Sequence, residues 1–518
     1  FKQKTAYEIP KRDWSSDVCS SDLTTILVFG DQLNREIGAL AGASPTTHRI
    51  LMVESAGKIA ARRWHIQRIH LIVASMRRFA EELGELGFDV DYRRSRSFST
   101  AVMEHRSKYG PDRIVATEPN SWSARQLLGR LGIEHVPSNQ FLCHPTDFAR
   151  FAEGRKSFKM EDFYRWQRSR LDYLIDDGKP VGGTWNLDKE NREPPPRDGS
   201  VTWPTPITSP LDDLDREIIS TYRDSSWGDE PTGIWATTRR GALQRLTYFI
   251  DNVLPGFGPH EDAMLEENWH LAHSLLSPYL NLGLLSPREV CDAAHDAFRA
   301  GRVPLNSAEG FIRQVIGWRE FIWNMYWKWM PDYPDLNALD AHVPLPGFFT
   351  DPTRTKMNCL SRCVGAVKER GYAHHIQRLM VMGNFALIAG INPRQFTDWM
   401  WESFVDAAEW VMVPNVVGMT LFADGGRVAT KPYAAGGNYI DKMSDYCSGC
   451  HYDRTKRVGD DACPFTTLYW NFLSRNDERL IKNPRIAQQV RAARKLANIE
   501  DVNDRAAGVL GGLDTGRF

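Results

Sequence analysis

Thr24 to Gly30 (TTILVFG) is a short, continuously apolar run rich in β-branched residues that stops at a glycine. That is the pattern of a strand buried on both faces of a parallel sheet. Asp31-Gln32-Leu33 follows as a loop. His48–Val53, Phe88–Tyr92 and Arg113–Ala116 repeat the strand-like pattern, and Ile66–Leu86 between them has helical periodicity. Strand alternating with helix predicts an α/β domain with a Rossmann-like parallel sheet over 24–150. Past Phe151 the periodicity loosens, and Gly182-Gly183, Pro194-Pro195-Pro196 and Pro204 predict an interdomain linker over 151–240. From Gly241 the chain reads as successive amphipathic helices, among them Ala263–Leu276 and Glu309–Trp329, so 241–518 is expected to be an all-α domain. Ser286-Pro287-Arg288-Glu289 has an N-cap serine, a proline at the first helical position and a capping-box glutamate.

A chain of 518 residues is long enough for several domains, and 42% hydrophobic with 25% charged residues excludes disorder. The net charge of −1 means that any affinity for a polyanion comes from a local patch. The longest apolar run, Leu379–Ile391, contains Asn384 and falls short of the roughly 18 residues a spanning helix needs, so no membrane segment is expected. No secretory signal is readable, which makes the cytoplasm the expected compartment. The chain opens on Phe1 and is rich in Ser and Asp over 15–22, so residues 1–23 are expected to be a leader foreign to the fold.

Neither G-x-G-x-x-G after a strand nor G-x-x-x-x-G-K-[ST] occurs, so any nucleotide is held in another way. Five of the eight cysteines lie between Cys359 and Cys463. Cys447-x2-Cys450 and Cys463-Pro464 place three thiols within 17 positions, with Cys359 or Cys363 available as the fourth. Four thiolates suit zinc or an iron–sulfur cluster about equally, and the proline after the last cysteine tips the balance slightly toward iron. Residues 351–378 carry a local net charge of +4, in which Lys368 and Arg370 are the proposed phosphate contacts. Asp31 and Glu54 stand near the C-terminal ends of expected strands, where open α/β sheets bind ligands.

Gly317-Trp318-Arg319-Glu320-Phe321, Leu276-Ser277-Pro278-Tyr279-Leu280 with Gly283, and Trp399 through Asp406-Ala407 resemble the flavin-domain motifs of the photolyase/cryptochrome family, in the family's order. Gly30-Asp31-Gln32-Leu33, Gly183-Thr184-Trp185-Asn186, His374-His375-Ile376-Gln377-Arg378 and the cysteine set resemble its iron–sulfur bacterial branch, over residues 24 to about 500. The resemblance implies a light-driven repair enzyme for (6-4) photoproducts in UV-damaged DNA, with FAD, a [4Fe–4S] cluster and a 6,7-dimethyl-8-ribityllumazine antenna, acting as a monomer. It implies Cys359, Cys447, Cys450 and Cys463 as cluster ligands, leaving Cys363 as the rival for the fourth position and Cys19, Cys143 and Cys291 as bystanders.

The resemblance also assigns roles at the flavin. Ser274 and Ser277 would donate to the pyrophosphate, although a serine there can equally bond its own helix. Gln314 and Arg319 would contact the cofactor, and Arg378 and Asp406 would form the ion pair beside the isoalloxazine. Met412 stands where many relatives have the asparagine near N5; Asn415 is close by as a cofactor contact, and the N5 partner is left unassigned. His375, with His374 beside it, would donate a proton to the lesion, a task suited to a pKa near neutrality; the further histidine of eukaryotic enzymes is here Leu379. Trp318 would stack in the lesion pocket, and Trp399, Trp401 and Trp410 would relay electrons. A cryptochrome-like photoreceptor with the same cofactors is the nearest alternative, and a light-independent iron–sulfur nucleic-acid-binding protein is the second.

Overall fold

The computed structural model describes residues 23–516 and 518. The expected leader and Cys19 lie outside them, apart from Leu23. Five strands, β1 (Thr24–Val28), β2 (His48–Ser55), β3 (Asp89–Ser95), β4 (Ile114–Thr117) and β5 (Glu134–Val136), form one all-parallel sheet in the order β3-β2-β1-β4-β5. The order reverses at β1, whose neighbours are β2 and β4; β1 is followed by Gly30-Asp31, at the switch point where such sheets bind ligands. β5 has two exposed residues and no apolar run, which is why the hydrophobic pattern does not announce it.

The two faces of the sheet are covered differently. Leu27, Leu51, Val53 and Ala116 pack with Val102, Leu128 and Ile133 in a local core. Ile26, Val28, Ile50 and Met52 belong instead to a core continuous with Leu282, Leu285, Val290 and Ile316 of the helical region. Leu33 N–H donates to Leu282 O at 2.8 Å, and Asn34 Nδ2 to Gly283 O at 3.1 Å, sealing the junction. The stretch expected as a linker contributes packed helices of its own. Met160–Leu171 buries Phe163 and Tyr164 against the Arg313–Arg319 turn, and Asp213–Tyr222 lies on Ile66–Glu85.

Beyond residue 241 the described structure is helical. Ser286 caps Pro287–Arg299 by accepting from Glu289 N–H, but the Glu289 carboxylate pairs with Arg239 at 3.1 Å rather than reaching back. The expected helix over 263–276 is absent. Asn268 Oδ1 accepts from Leu271 N–H, a side-chain turn that competes with helix, and Leu271 and Leu275 both adopt positive φ (45° and 56°). The segment is an irregular loop, and Ser277 starts the next helix, Ser277–Leu282.

Candidate functional site

Among the described residues four helical runs contain a π-helical stretch, and three of these, Arg313–Arg319, Gln377–Gly383 and Pro414–Thr420, carry expected site residues. Wider turns of this kind concentrate at functional sites because they re-aim side chains out of regular register. The three stretches carry Gln314, Trp318 and Arg319; Arg378; and Asn415.

Arg378 and Asp406 meet as a bidentate pair, Nη1–Oδ1 2.9 Å and Nη2–Oδ2 3.0 Å, in which Asp406 is buried and Arg378 nearly so. Ser277 Oγ donates to Asp406 Oδ2 at 2.7 Å and Asn281 Nδ2 to Asp406 O at 2.7 Å. The pair is thereby tied to the Leu276–Leu280 motif. Ser277 is committed to this carboxylate and not to an outward-facing role, while Ser274 Oγ accepts from Leu276 N–H at 3.3 Å, the local bond. Gln314 donates to Glu261, whose carboxyl burial pushes up to about 6. Arg319 pairs with Glu320 at 2.8 Å and lies 4.1 Å over Phe141 and 5.3 Å over Trp410. Asn415 Nδ2 is spent on Val411 O, and Trp318 stands edge-on to Phe321.

His273, missed by the sequence reading, joins the histidine pair. Its ring centroid lies 4.1 Å from that of His374 and 5.3 Å from that of His375. Burial pushes His273 and His374 well below the ordinary imidazole range, so both are neutral near pH 7. His375 is half exposed and faces the Asp262 carboxylate, Nε2–Oδ1 3.6 Å. Both ring nitrogens of His374, Nε2 of His273 and Nε of Arg319 are buried without a partner. Such atoms are few in folded proteins and costly when unmet, so they suit a cofactor rich in acceptors such as FAD. The space beside His273 and Ser274 is only about 30 Å³, closed by the 257–276 loop.

The three tryptophans do not form one chain. Trp399 packs with Phe349, Phe396 and Phe404. Trp401 meets Trp64, centroids 5.8 Å apart. Trp410 meets Trp323 at 5.6 Å, Trp323 meets Trp327 at 5.5 Å, and Trp327 meets Trp122 at 6.3 Å. Trp323 and Trp327 hide in an apolar helix, where periodicity marks them as ordinary core.

A 460 Å³ cavity opens between the sheet and the helical region, of the size that holds a small ligand. Asp31 and Glu54 both line it, together with Lys58, Arg68, Asn120, Trp401, Glu409 and Trp410. Burial raises the Asp31 carboxyl, against Lys58 and a 3.2 Å bond from Asn120. Burial would also raise Glu54, but Arg77, Tyr222 and Tyr92 donate to its two oxygens and hold it below the usual carboxylate range. Glu54 is therefore a fully engaged structural carboxylate. Glu409 on the opposite wall, raised by burial, is the acid that sequence reasoning missed.

Cys359, Cys447, Cys450 and Cys463 come together: each of the other three acts electrostatically on Cys359, as does Cys363, one helical turn away. Cys450 N–H donates to Cys447 O at 3.3 Å, with Gly449 at positive φ (82°) closing the turn. A Cβ on Gly437 would meet Cys463 Sγ at 3.1 Å, so the glycine leaves room beside the thiol. Among the described residues the only group of three or more ligand atoms mutually within 4.8 Å is His273, His374 and His375. Cys363 turns away, its Sγ 3.9 Å from Tyr446 Oη.

The basic count over 351–378 dissolves on inspection: Arg362 pairs with Glu266, Arg370 with Glu369 while lying 4.9 Å over Trp269, and Arg378 with Asp406. Lys368 is exposed; Arg370 is not a free cation.

The chain matches the family described as "Deoxyribodipyrimidine photo-lyase-related protein" over residues 26–229. It is 43% identical over 506 residues to the (6-4) photolyase of Agrobacterium fabrum, covering 94% of this chain and 99% of that protein. A bacterial class III photolyase from Agrobacterium tumefaciens shares the fold with a TM-score of 0.57 at 18% identity, covering 97% of this chain and 99% of that one. A cryptochrome from Synechocystis sp. PCC6803 shares it with a TM-score of 0.54 at 14% identity, over 82% and 89%. Among the described residues no helix is long and apolar enough to cross a membrane.

Proposed function

The chain belongs to the photolyase/cryptochrome family, and from that membership we propose a light-dependent repair enzyme for (6-4) photoproducts in UV-damaged DNA, with His375 as its proton donor. DNA photolyase activity follows from near-full-length likeness to a protein of that name. The observation that carries the site assignment is the Arg378–Asp406 pair, tied to Ser277 and set beside His273 and His374, whose ring nitrogens lack partners, and the half-exposed His375, which faces Asp262.

Arg378 and Asp406 would hold FAD, with the unmet nitrogens of His273, His374 and Arg319 as further contacts, and the reduced cofactor, once bound and excited, would supply an electron to the lesion. Trp318 offers an aromatic face to the extruded base, at an unstacking cost of a few kcal/mol that damage lowers. His375 holds a proton at Nε2 against Asp262 and delivers it to the lesion. Cys359, Cys447, Cys450 and Cys463 would hold a [4Fe–4S] cluster, and the 460 Å³ cavity a ribityllumazine antenna between Asp31, Asn120 and Glu409. The enzyme is proposed to act as a monomer in the cytoplasm, on the nucleoid.

His375→Ala, illuminated with a (6-4) duplex, is expected to lose repair while FAD content and duplex affinity stay at wild-type levels, because a proton donor acts chiefly in the transition state. Repair at the normal quantum yield would make His375 structural, and loss of FAD would place it in the flavin pocket. Iron analysis and an absorption spectrum of the purified protein check the cluster and the antenna.

A further inference from the structure

The cysteine set and the histidine pair are joined by a short hydrogen-bonded bridge. Tyr446 directly precedes Cys447 and is 1% exposed. Its Oη accepts from Gln377 Nε2 at 2.8 Å, and the Cys363 thiol lies 3.9 Å from the same oxygen. The other end of the Gln377 amide, Oε1, accepts from the His374 backbone N–H at 3.1 Å. Gln377 stands three residues after His374, and His375 is the first helical residue. This is the reach-back half of a capping box, satisfying a donor that the helix itself cannot. A primary amide has one accepting and one donating end, and the His374 N–H can only donate, so it takes the amide oxygen and turns the amide nitrogen toward the Tyr446 hydroxyl.

A second connection runs beside the first. Asn358, immediately before Cys359, donates to Tyr446 O at 3.0 Å and to Glu266 Oε2 at 2.9 Å, and Asp445 Oδ1 accepts from Glu266 N–H at 2.9 Å. Residues adjoining two of the four thiols therefore grip both the start of the His375 helix and the loop that carries Asp262.

We infer that Tyr446 is a positioning residue: acting through Gln377, it sets the start of the helix that presents His375, and so couples the cysteine site to the placement of the proton donor. The coupling rests on the reading of the thiols and of His375 given above; the Tyr446–Gln377–His374 bridge stands on its own distances.

Tyr446→Phe keeps the ring and all four thiols. Iron and FAD content should hold at wild-type levels, while amide exchange over 372–378 accelerates on the order of tenfold, as loss of about one net hydrogen bond allows, and the pH profile of repair shifts. Gln377→Met keeps the length without the amide and should give the same acceleration. The double variant should exceed neither single variant, because one chain of bonds has been cut. Unchanged exchange and pH profile in Tyr446→Phe, additive acceleration in the double variant, or acceleration confined to protein that has lost its iron would each overturn the inference. Wild-type protein that contains no iron but keeps this exchange pattern would remove the cluster reading alone and leave Tyr446 positioning His375 from an unmetallated thiol site.

Discussion

The cavity under the sheet and the cleft behind the Leu276–Leu280 motif are both polar and both shared between distant parts of the chain, yet they are built in opposite ways. The cavity has 460 Å³ of space, and its charged groups Asp31, Glu54 and Arg68 have partners in Asn120, in Arg77 with two tyrosines, and in Phe404 O and Ala407 O, while Asn120 Oδ1 has none. The space beside His273 has about 30 Å³, and Nε2 of His273 and both ring nitrogens of the adjoining His374 have none. Unmet polar atoms carry a standing cost that a ligand relieves, whereas an empty but largely satisfied cavity carries little. The fold is therefore expected to depend on the occupant of the cleft and to be nearly indifferent to that of the cavity.

The largest effect that bears on this contrast is Asp406→Ala. It leaves Arg378, whose side chain is 17% exposed, without its carboxylate, and breaking a buried pair on one side costs about 3–5 kcal/mol. Thermal unfolding should show that loss together with loss of flavin absorbance; a variant that keeps both would move the anchor elsewhere. Next comes the ligand itself: FAD at 100 times its Kd should stabilise the protein by about 2.7 kcal/mol and slow amide exchange in the 257–276 loop, which gains contacts. A chromophore in the cavity should leave that loop unchanged, and equal protection by both would erase the distinction.

Glu54→Gln tests the satisfied side, with an expected cost on the order of 1–2 kcal/mol. The fold holds Glu54 below its ordinary pKa of 4.5, so its contribution is complete above that value and is lost as pH falls through the lower folded one. The variant should match wild type most closely at low pH and fall furthest behind near neutrality; a pH-independent deficit would assign the effect to packing. Lys368→Glu, outside both regions, should change stability least. It should weaken damaged and undamaged duplexes alike and lower the salt slope of binding by about 1 or more; unchanged affinity at low salt would put the DNA surface elsewhere.

The strands β1, β2 and β4 were legible because a β-branched apolar run reports burial on both faces without reference to anything distant, whereas the charged, half-exposed β3 showed only at its Phe88–Tyr92 start. The cysteine set and the Arg378–Asp406 pair were legible through spacing and resemblance, and the structure brings both together. What the sequence concealed depends on partners far along the chain. Glu54 looked like a free loop acid, yet its second tyrosine lies 168 positions away. Arg370 looked like a phosphate contact, but its neighbour Glu369 and the remote Trp269 hold it. The 263–276 stretch has helical spacing, and a single asparagine side chain with two positive-φ leucines overrides it. Tyr446 gave no signal, because one buried tyrosine beside a cysteine looks like any other.

The continuity of one sheet face with the helical core has a consequence for synthesis. Ile26, Val28, Ile50 and Met52 are covered in part by Leu282, Leu285, Val290 and Ile316, made 165 to 199 residues after the end of β4 at Thr117. At about 5–20 residues per second, that is roughly 8–40 s during which a nascent sheet stands half clothed on the ribosome. An apolar parallel sheet in that state is a natural client for a chaperone, and a stall within the intervening stretch would strand it there.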